Sequence, residues 1–256
     1  MISRRAFTVL GAGAALTSMT GLPAAQATPR GVRDVVLVHG AYADGSCFAA
    51  VIEGLQDAGL RVISVQNPLT SLAEDVAATN RVLDELPGPA VLAGHSWGGA
   101  VITQAGLHRN VAGLVYLAAR APEVNEDYAA LAARFPTPPA NAGIIESGGF
   151  RRLTETAFLR DFAVDVPHRQ ARALYAAQGR VAATLFASRT SVAAWRSRPS
   201  WYAVSRRDRT TAPELQRFVA QRMGARTVEL DTGHLAPVSR PEAVTRLIRT
   251  AAAQLG

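Results

Sequence analysis

Short apolar segments alternate with amphipathic ones along most of the chain. The apolar segments cover residues 33–38, 60–65, 90–93, 111–118, 200–204 and 226–230. The first is a continuous β-branched run, as in strands that are buried on both faces. Between these segments, the spacing predicts helices at about 46–58, 213–223 and 241–254, and Ser71 with Glu74 forms a capping box that starts another. This alternation predicts an α/β fold with a doubly wound, mostly parallel six-stranded sheet.

The alternation breaks between about residues 122 and 198. This region contains several prolines, a Gly148-Gly149 pair and short amphipathic segments, but no convincing core strand. It therefore predicts a helical lid inserted into the sheet rather than an independent domain. A chain of 256 residues, 48% of them hydrophobic, suits one sizeable α/β domain, which we place at residues 28–256.

The first 27 residues have the pattern of an export signal. Arg4 and Arg5 precede a mildly apolar stretch that runs to about Leu22, and Ala25-Gln26-Ala27 forms a small-x-small cleavage signature. The alternative is an N-terminal membrane anchor, but the stretch is interrupted and shorter than the ~20 residues that span a bilayer. We therefore expect twin-arginine export to the periplasm or the medium, without a membrane anchor.

The charge and the cysteine content exclude several kinds of chemistry. All 27 basic side chains are arginines, so Schiff-base chemistry and a lysine base are excluded. The net charge of +7 comes from scattered arginines rather than a basic run interleaved with aromatics, so we expect no nucleic-acid partner. Cys47 is the only cysteine and is expected to be a small buried side chain rather than a nucleophile.

A strand-to-helix turn at residues 94–98 suggests a nucleophile. Gly94 and Gly98 flank Ser96 at two residues on either side, as in a nucleophile elbow. The glycines leave room for a sharp turn that lifts the serine hydroxyl clear of the sheet. A match of this length also occurs by chance, in which case Ser96 is an ordinary serine in a glycine-rich turn.

A serine nucleophile requires a base, and His234 is the best placed of the five histidines. It follows the last strand, downstream of Ser96, in a loop at the carboxyl edge of the sheet. His39 and His95 would violate the chain order of serine, acid and histidine. His108 and His168 suit surface or locally bonded imidazoles.

The acid that orients the base is expected to be Asp208. It follows the strand that ends near Val204 and lies between Ser96 and His234 in the chain. The flanking arginines at 206, 207 and 209 are expected to keep it ionised. Asp231, which is close to His234 in sequence, and Glu123, which follows the preceding strand, are the competitors.

Acyl transfer also needs two backbone donors for the developing oxyanion. The amide of Trp97, directly after the serine, is one candidate. The other is expected in the loop after the first strand, at Ala41, where Gly40 lets the backbone approach a substrate.

Four motifs in this order resemble the α/β-hydrolase superfamily. They are Val-Leu-Val-His-Gly-Ala at 36–41, Gly-His-Ser-Trp-Gly-Gly at 94–99, Ser-Trp-Tyr-Ala-Val at 200–204 followed by Asp208, and the Gly-His turn at 233–234. Within it, the chain is most similar to the compact branch of plant methylesterases, hydroxynitrile lyases and bacterial esterases. The resemblance implies a Ser96–His234–Asp208 triad, an oxyanion hole at Ala41 and Trp97, and no cofactor. Leu235 and Gly40 replace the lysine and the threonine of the lyases, so lyase chemistry lacks their support.

Together these features predict a serine hydrolase that cleaves a small carboxylic ester through an acyl-enzyme. Neither a metal nor a cofactor is expected, and the sequence does not indicate an oligomeric state. An amide, lactone or thioester would fit the same machinery, and a cofactor-free lyase or a ligand-binding homologue without activity remain alternatives. The candidate pocket walls are Tyr42, Phe48, Trp97, Phe135 and Trp195, each of which could equally be a core residue.

Overall fold

The strands form one parallel sheet at the centre of the molecule. The computed structural model describes residues 31–255, and the predicted export signal lies outside them. The strands of this sheet are β1 Asp34–Val38, β2 Arg61–Val65, β3 Ala90–His95, β4 Val111–Leu117, β8 Ser200–Ser205 and β9 Arg226–Leu230. The order across the sheet is β2-β1-β3-β4-β8-β9 and every pairing in it is parallel, which confirms the predicted fold class. Three further strands lie apart from this sheet: β5 Ile144–Ser147, β6 Phe150–Leu153 and β7 Val181–Ala182.

Helices pack on the sheet in two groups. The helices that follow the sheet strands are α1 Ala49–Asp57, α2 Leu72–Asp84, α3 Gly98–Ala105, α7 Pro213–Arg222, α8 Ala236–Ser239 and α9 Pro241–Gln254. Helix α1 packs on α9, and α2 packs on α3. The chain moves from β1 outward to β2 and then back to β3, so right-handed crossovers place α1 and α2 on opposite faces. Ser71 caps α2 by accepting a hydrogen bond from the Glu74 amide at 3.2 Å, as its capping box predicts.

The burial of the inner strands accounts for their apolar runs in the sequence. Every residue of β1, β3 and β8 is buried, whereas the edge strands β2 and β9 are largely exposed or half-buried. Because the strands are parallel, the loops after β1, β3, β8 and β9 meet at the carboxyl edge of the sheet. No helix within residues 31–255 has both the length and the apolar character needed to cross a bilayer.

The inserted region contains a small sheet as well as helices. Its helices are α4 Tyr128–Ala132, α5 Glu155–Ala157, which continues into a π-helical turn at Phe158–Phe162, and α6 His168–Ala177. Strands β5, β6 and β7 form an antiparallel sheet that the apolar pattern does not predict. The pattern failed here because β5 and β6 are mostly exposed and carry no apolar run. Gly148 and Gly149 turn β5 into β6 with φ of +59° and +78°, conformations that favour glycine.

Candidate active site

Ser96 lies in a tight turn between β3 and α3. Its φ of +52° is in the left-handed region, which is strained for a residue with a side chain. A Cβ at Gly94 would lie 2.6 Å from the carbonyl oxygen of Gly98, and one at Gly98 would lie 2.3 Å from that of Val38. Glycine is therefore required at both positions for β3, the turn and α3 to approach each other this closely.

His234 is hydrogen-bonded to both Ser96 and Asp208. It is fully buried in the loop between β9 and α8. Its Nε2 lies 2.9 Å from the Ser96 Oγ, and its Nδ1 lies 2.7 Å from the Asp208 Oδ2. Since a carboxylate only accepts hydrogen bonds, Nδ1 carries the proton of the imidazole. Nε2 is therefore free to accept a hydrogen bond from the serine hydroxyl. This order of hydrogen bonds can transfer a proton from a serine as it attacks a carbonyl carbon.

The Asp208 carboxylate is held by four donors. Its Oδ1 accepts from the amides of Thr210 at 2.7 Å and Thr211 at 2.9 Å. Its Oδ2 accepts from the Gln216 Nε2 at 2.8 Å as well as from His234. Gln216 is fully buried on α7 and was not predicted from the sequence. These four hydrogen bonds fix the position of the carboxylate.

The arginines that flank Asp208 are paired with other carboxylates. Arg206 and Arg207 form ion pairs with Asp231 instead, and Arg209 forms one with the buried Asp161. Each of the three flanking arginines is therefore paired with a carboxylate other than Asp208. The exposed Asp231 carboxylate is occupied by this pairing.

The remaining competitor for the acid, Glu123, is also engaged elsewhere. It forms an ion pair with Arg196 at 2.8 Å in the inserted region. Among residues 31–255, Asp208 is the carboxylate that forms a hydrogen bond with the imidazole of His234.

Two further histidines, both neutral, form hydrogen bonds that hold the surrounding loops. The His39 Nε2 accepts from the Asn67 amide at 2.9 Å, and its Nδ1 donates to the carbonyl of Gly40 at 2.8 Å. The His95 Nε2 donates to the backbone carbonyl of His234 at 2.9 Å. Burial lowers the pKa of both imidazoles, that of His95 well below its ordinary value. His95 therefore links the serine turn to the histidine loop, a role that the sequence did not reveal.

Asp165, in the inserted region, supports the histidine loop from the other side. Its Oδ2 accepts from the Thr232 hydroxyl and from the Gly233 amide, both at 2.8 Å. A Cβ at Gly233 would lie 2.5 Å from the Val164 side chain, so a larger residue there would require Val164 to move. Phe162 also packs near the imidazole, with its ring centre 5.1 Å from that of His234.

A cavity of about 480 Å³ opens at Ser96 between the sheet edge and the inserted region. Its lining includes Ala41 and Tyr42 from the loop after β1, and also Arg120. The rest of the lining is more apolar than polar, with the apolar residues Ala129, Ala132, Ala133, Pro138, Ile144, Phe162 and Phe186 and the polar residues Thr137, Asn141, Thr210 and Thr211.

The other predicted pocket walls lie elsewhere. Phe48 is fully buried in a 3-10 turn before α1, and Phe135 packs on Phe218 with ring centres 5.5 Å apart. Trp195 donates its indole N–H to the Pro122 carbonyl at 3.0 Å. None of these three lines the cavity at Ser96. Their assignment was wrong because aromatic character alone does not distinguish a pocket wall from a core residue.

The Trp97 side chain is also a core residue. Its indole is 1% exposed and donates to the Asp75 Oδ2 at 2.7 Å, and the cavity lining does not include it. The amides of Trp97 and Ala41 have no acceptor among residues 31–255. Of the two residues, Ala41 lines the cavity at Ser96. Within the same residues, no group of three His, Cys, Asp or Glu side chains could hold a metal ion.

A family model and curated relatives match the chain, in agreement with the fold. The model of the alpha/beta hydrolase family matches residues 35–247, and the chain belongs to this family. A pyrethroid hydrolase of Sphingobium wenxiniae is 33% identical over 101 residues, which cover 34% of this chain and 36% of that protein. A carbendazim hydrolyzing esterase of Nocardioides is 33% identical over 129 residues, 45% of this chain and 52% of that protein. The chain thus matches about half or less of the length of these relatives.

Solved structures share the fold over most of the chain. A pyrethroid hydrolase from Sphingobium faniae superposes with a TM-score of 0.72 at 21% identity, covering 86% of this chain and 97% of that one. Polyneuridine aldehyde esterase gives 0.73 at 16% identity, covering 86% and 99%. A methylesterase from Arabidopsis gives 0.72 at 17% identity, covering 86% and 98%. At these identities the likeness shows the fold alone.

Proposed function

We propose that this protein is a serine hydrolase that cleaves a small carboxylic ester. The observation that carries the proposal is the unbroken hydrogen-bonded series from the Ser96 hydroxyl through His234 to Asp208, at the floor of a cavity. The names of the relatives, a pyrethroid hydrolase and a carbendazim hydrolyzing esterase, support the substrate class.

The mechanism follows from the positions of these groups. The Ser96 Oγ attacks the ester carbonyl carbon while His234 Nε2 takes its proton, and Asp208 stabilises the imidazolium that forms. The carbonyl oxygen becomes an oxyanion, which accepts from the amides of Ala41 and Trp97. The C–O bond then breaks, and the alcohol leaves with the proton from His234. Water repeats the sequence on the acyl-enzyme and releases the acid.

The proposal is tested by covalent labelling and hydrolysis together. Wild-type protein is expected to react with a fluorophosphonate probe at Ser96, identified by peptide mass spectrometry, and to hydrolyse 4-nitrophenyl esters. Ser96→Ala is expected to lose labelling and at least about 10³-fold in kcat, since it removes the attacking atom. Ser147→Ala is a matched control, because that serine is exposed in β5.

Two results would contradict the proposal. One is labelling that persists in Ser96→Ala, which would place the nucleophile elsewhere. The other is folded wild-type protein that neither reacts with the probe nor hydrolyses any ester, which would favour a lyase or a ligand-binding protein.

A further inference from the structure

Arg120 is fixed beside the nucleophile. It follows β4, and its backbone amide donates to the carbonyl of Ser96 at 3.0 Å. The preceding residue, Ala119, is held at both of its polar backbone atoms by the Tyr202 hydroxyl, which donates to the carbonyl at 2.6 Å and accepts from the amide at 3.0 Å. The Arg120 side chain lines the cavity that opens at Ser96.

The Arg120 guanidinium lies among aromatic rings and has no anionic partner. Its central carbon is 4.5 Å from the ring centre of Phe186, 5.0 Å from that of Tyr128 and 5.6 Å from that of Trp97. Within residues 31–255 it forms one side-chain hydrogen bond, to the carbonyl of Phe186, which is long at 3.4 Å. No carboxylate among residues 31–255 forms a salt bridge with it. Arg120 is half-buried, and a partly buried cation is commonly paired with an anion, so this site lacks a counterion within the described chain.

The charge persists at this position. Burial lowers the pKa of Arg120 below its ordinary value, but an arginine keeps its proton at any pH at which proteins function. The cavity wall therefore carries a full positive charge, attracted to the faces of the surrounding rings and with N–H groups that lack good acceptors.

A second donor lines the same cavity. The Tyr42 hydroxyl is buried and has no hydrogen-bond partner among residues 31–255. Burial raises the pKa of Tyr42 to about 12, so the phenol keeps its proton and can donate. The Thr210 hydroxyl, which also lines the cavity, is likewise buried without a partner among these residues. The cavity thus combines a cation and two neutral O–H donors with walls that are otherwise more apolar than polar.

We propose that the cavity selects esters that carry a carboxylate apart from the ester bond, and that Arg120 and Tyr42 bind this carboxylate. The two N–H groups of a guanidinium edge match the two oxygens of a carboxylate. The apolar part of the remaining walls suits a short hydrocarbon spacer. This inference rests on the proposed ester hydrolysis at Ser96, and it narrows the substrates to monoesters of dicarboxylic acids and related anionic esters.

The test compares two chromogenic esters of equal carbon chain. Mono-4-nitrophenyl glutarate carries a terminal carboxylate, and 4-nitrophenyl pentanoate ends in a methyl group. The wild-type protein is expected to have the higher kcat/KM for the glutarate ester. In Arg120→Gln, which removes the charge but keeps an amide donor, the ratio of the two kcat/KM values is expected to fall at least tenfold. The kcat/KM values for the shorter succinate and the longer adipate monoesters show which spacer length fits between Ser96 and Arg120.

The control is Arg109→Gln. Arg109 has a side chain that is 76% exposed, and it precedes the amino end of β4, at the edge of the sheet opposite Ser96. The variant removes the same charge from the protein as a whole, so it is expected to leave the ratio unchanged. A ratio that falls equally in both variants would mean that long-range charge, rather than contact, attracts the substrate, and would overturn the proposal.

Binding without turnover separates this proposal from the proposed hydrolysis. Mono-4-nitrophenyl glutarate is titrated by calorimetry into Ser96→Ala and into Ser96→Ala/Arg120→Gln, with circular dichroism as a check on folding. Affinity at least tenfold weaker in the double variant supports the carboxylate site, even if no ester is hydrolysed. Two results overturn the inference and show that Arg120 is held by the aromatic rings alone. One is equal affinity of the two variants for the glutarate ester. The other is a ratio of kcat/KM values, glutarate to pentanoate ester, that is the same in Arg120→Gln as in the wild type.

Discussion

Gln216 is the residue that joins the acid of the site to the sheet. Its Nε2 donates to Asp208 at 2.8 Å and to the carbonyl of Thr211 at 2.9 Å, while its Oε1 accepts from the amide of Ser205 at 2.9 Å. One buried amide thus fixes the carboxylate relative to the last residue of β8. The position of the carboxylate in turn determines the orientation of the His234 imidazole.

Gln216→Met is expected to impair both activity and stability. It leaves the Ser205 amide without an acceptor and removes one donor from a buried carboxylate, and an unpaired buried polar group costs about 1–3 kcal/mol. We expect kcat/KM for a 4-nitrophenyl ester to fall about tenfold and the urea midpoint to drop. Gln221→Met, at an exposed position in the same helix, is the control. Unchanged kinetics in Gln216→Met would show that Thr210 and Thr211 suffice to hold Asp208.

At the residue scale, the sequence predicts positions that follow a strand better than it predicts pocket walls. Ser96, Asp208 and His234 each follow a recognisable strand of one parallel sheet, so their meeting at its carboxyl edge could be predicted. Gln216 and Arg120 could not, because a glutamine on a helix and an arginine after a strand carry no distinguishing spacing. Their roles depend on which side chains pack around them.

At the scale of elements, the inserted region and the histidine loop form one unit. Asp165 follows the π-helical turn at Phe158–Phe162, and its carboxylate binds Thr232 and Gly233 just before His234. The insertion therefore does more than cover the cavity, since it also restrains the backbone that carries the imidazole. A positioning role of this kind predicts an effect on kcat rather than on substrate affinity.

Asp165→Ala is expected to lower kcat about tenfold with little change in KM. The change leaves the Gly233 amide without its acceptor, so the His234 loop becomes less restrained. Asp165→Asn keeps one carbonyl oxygen as an acceptor and should restore most of kcat, which a loss of general stability would not explain. Asp57→Ala, at an exposed position, is the control. A change in KM alone would contradict the positioning role.

The elements of the insertion were predicted less well than those of the sheet. The inner sheet strands β1, β3 and β8 are buried and are identified by their apolar runs, but β5 and β6 face solvent and lack such runs. The Gly-Gly pair at 148–149 is a hairpin signal, although it has too little apolar sequence on either side to stand out. Exposed strands of this kind depend on contacts with neighbouring elements, and their own sequence carries no apolar pattern that identifies them.

At the scale of the whole molecule, two buried neutral histidines connect stability to pH. His39 and His95 lie next to the active-site loops, and burial lowers the pKa of each. In the unfolded chain a histidine has a pKa near 6.5. Above about pH 7, neither the folded nor the unfolded protein binds a proton at these two imidazoles. His39 and His95 therefore do not make the stability depend on pH in that range. Below about pH 6.5 the unfolded chain takes up protons that the folded protein does not, and stability is lost as the pH falls.

His95→Gln is expected to reduce this acid sensitivity. Glutamine retains an N–H donor for the carbonyl of His234 and has no charged form, so the variant should lose about 1 kcal/mol less unfolding free energy between pH 7.5 and 5.5 than the wild type. Urea unfolding at both pH values, at constant ionic strength, measures the difference. Other titrating groups, such as Asp75, whose pKa burial raises, are common to both proteins and cancel. His168→Gln, at an exposed position, should keep the wild-type pH dependence. Equal acid sensitivity in all three proteins would mean that His95 takes up its proton within the folded protein.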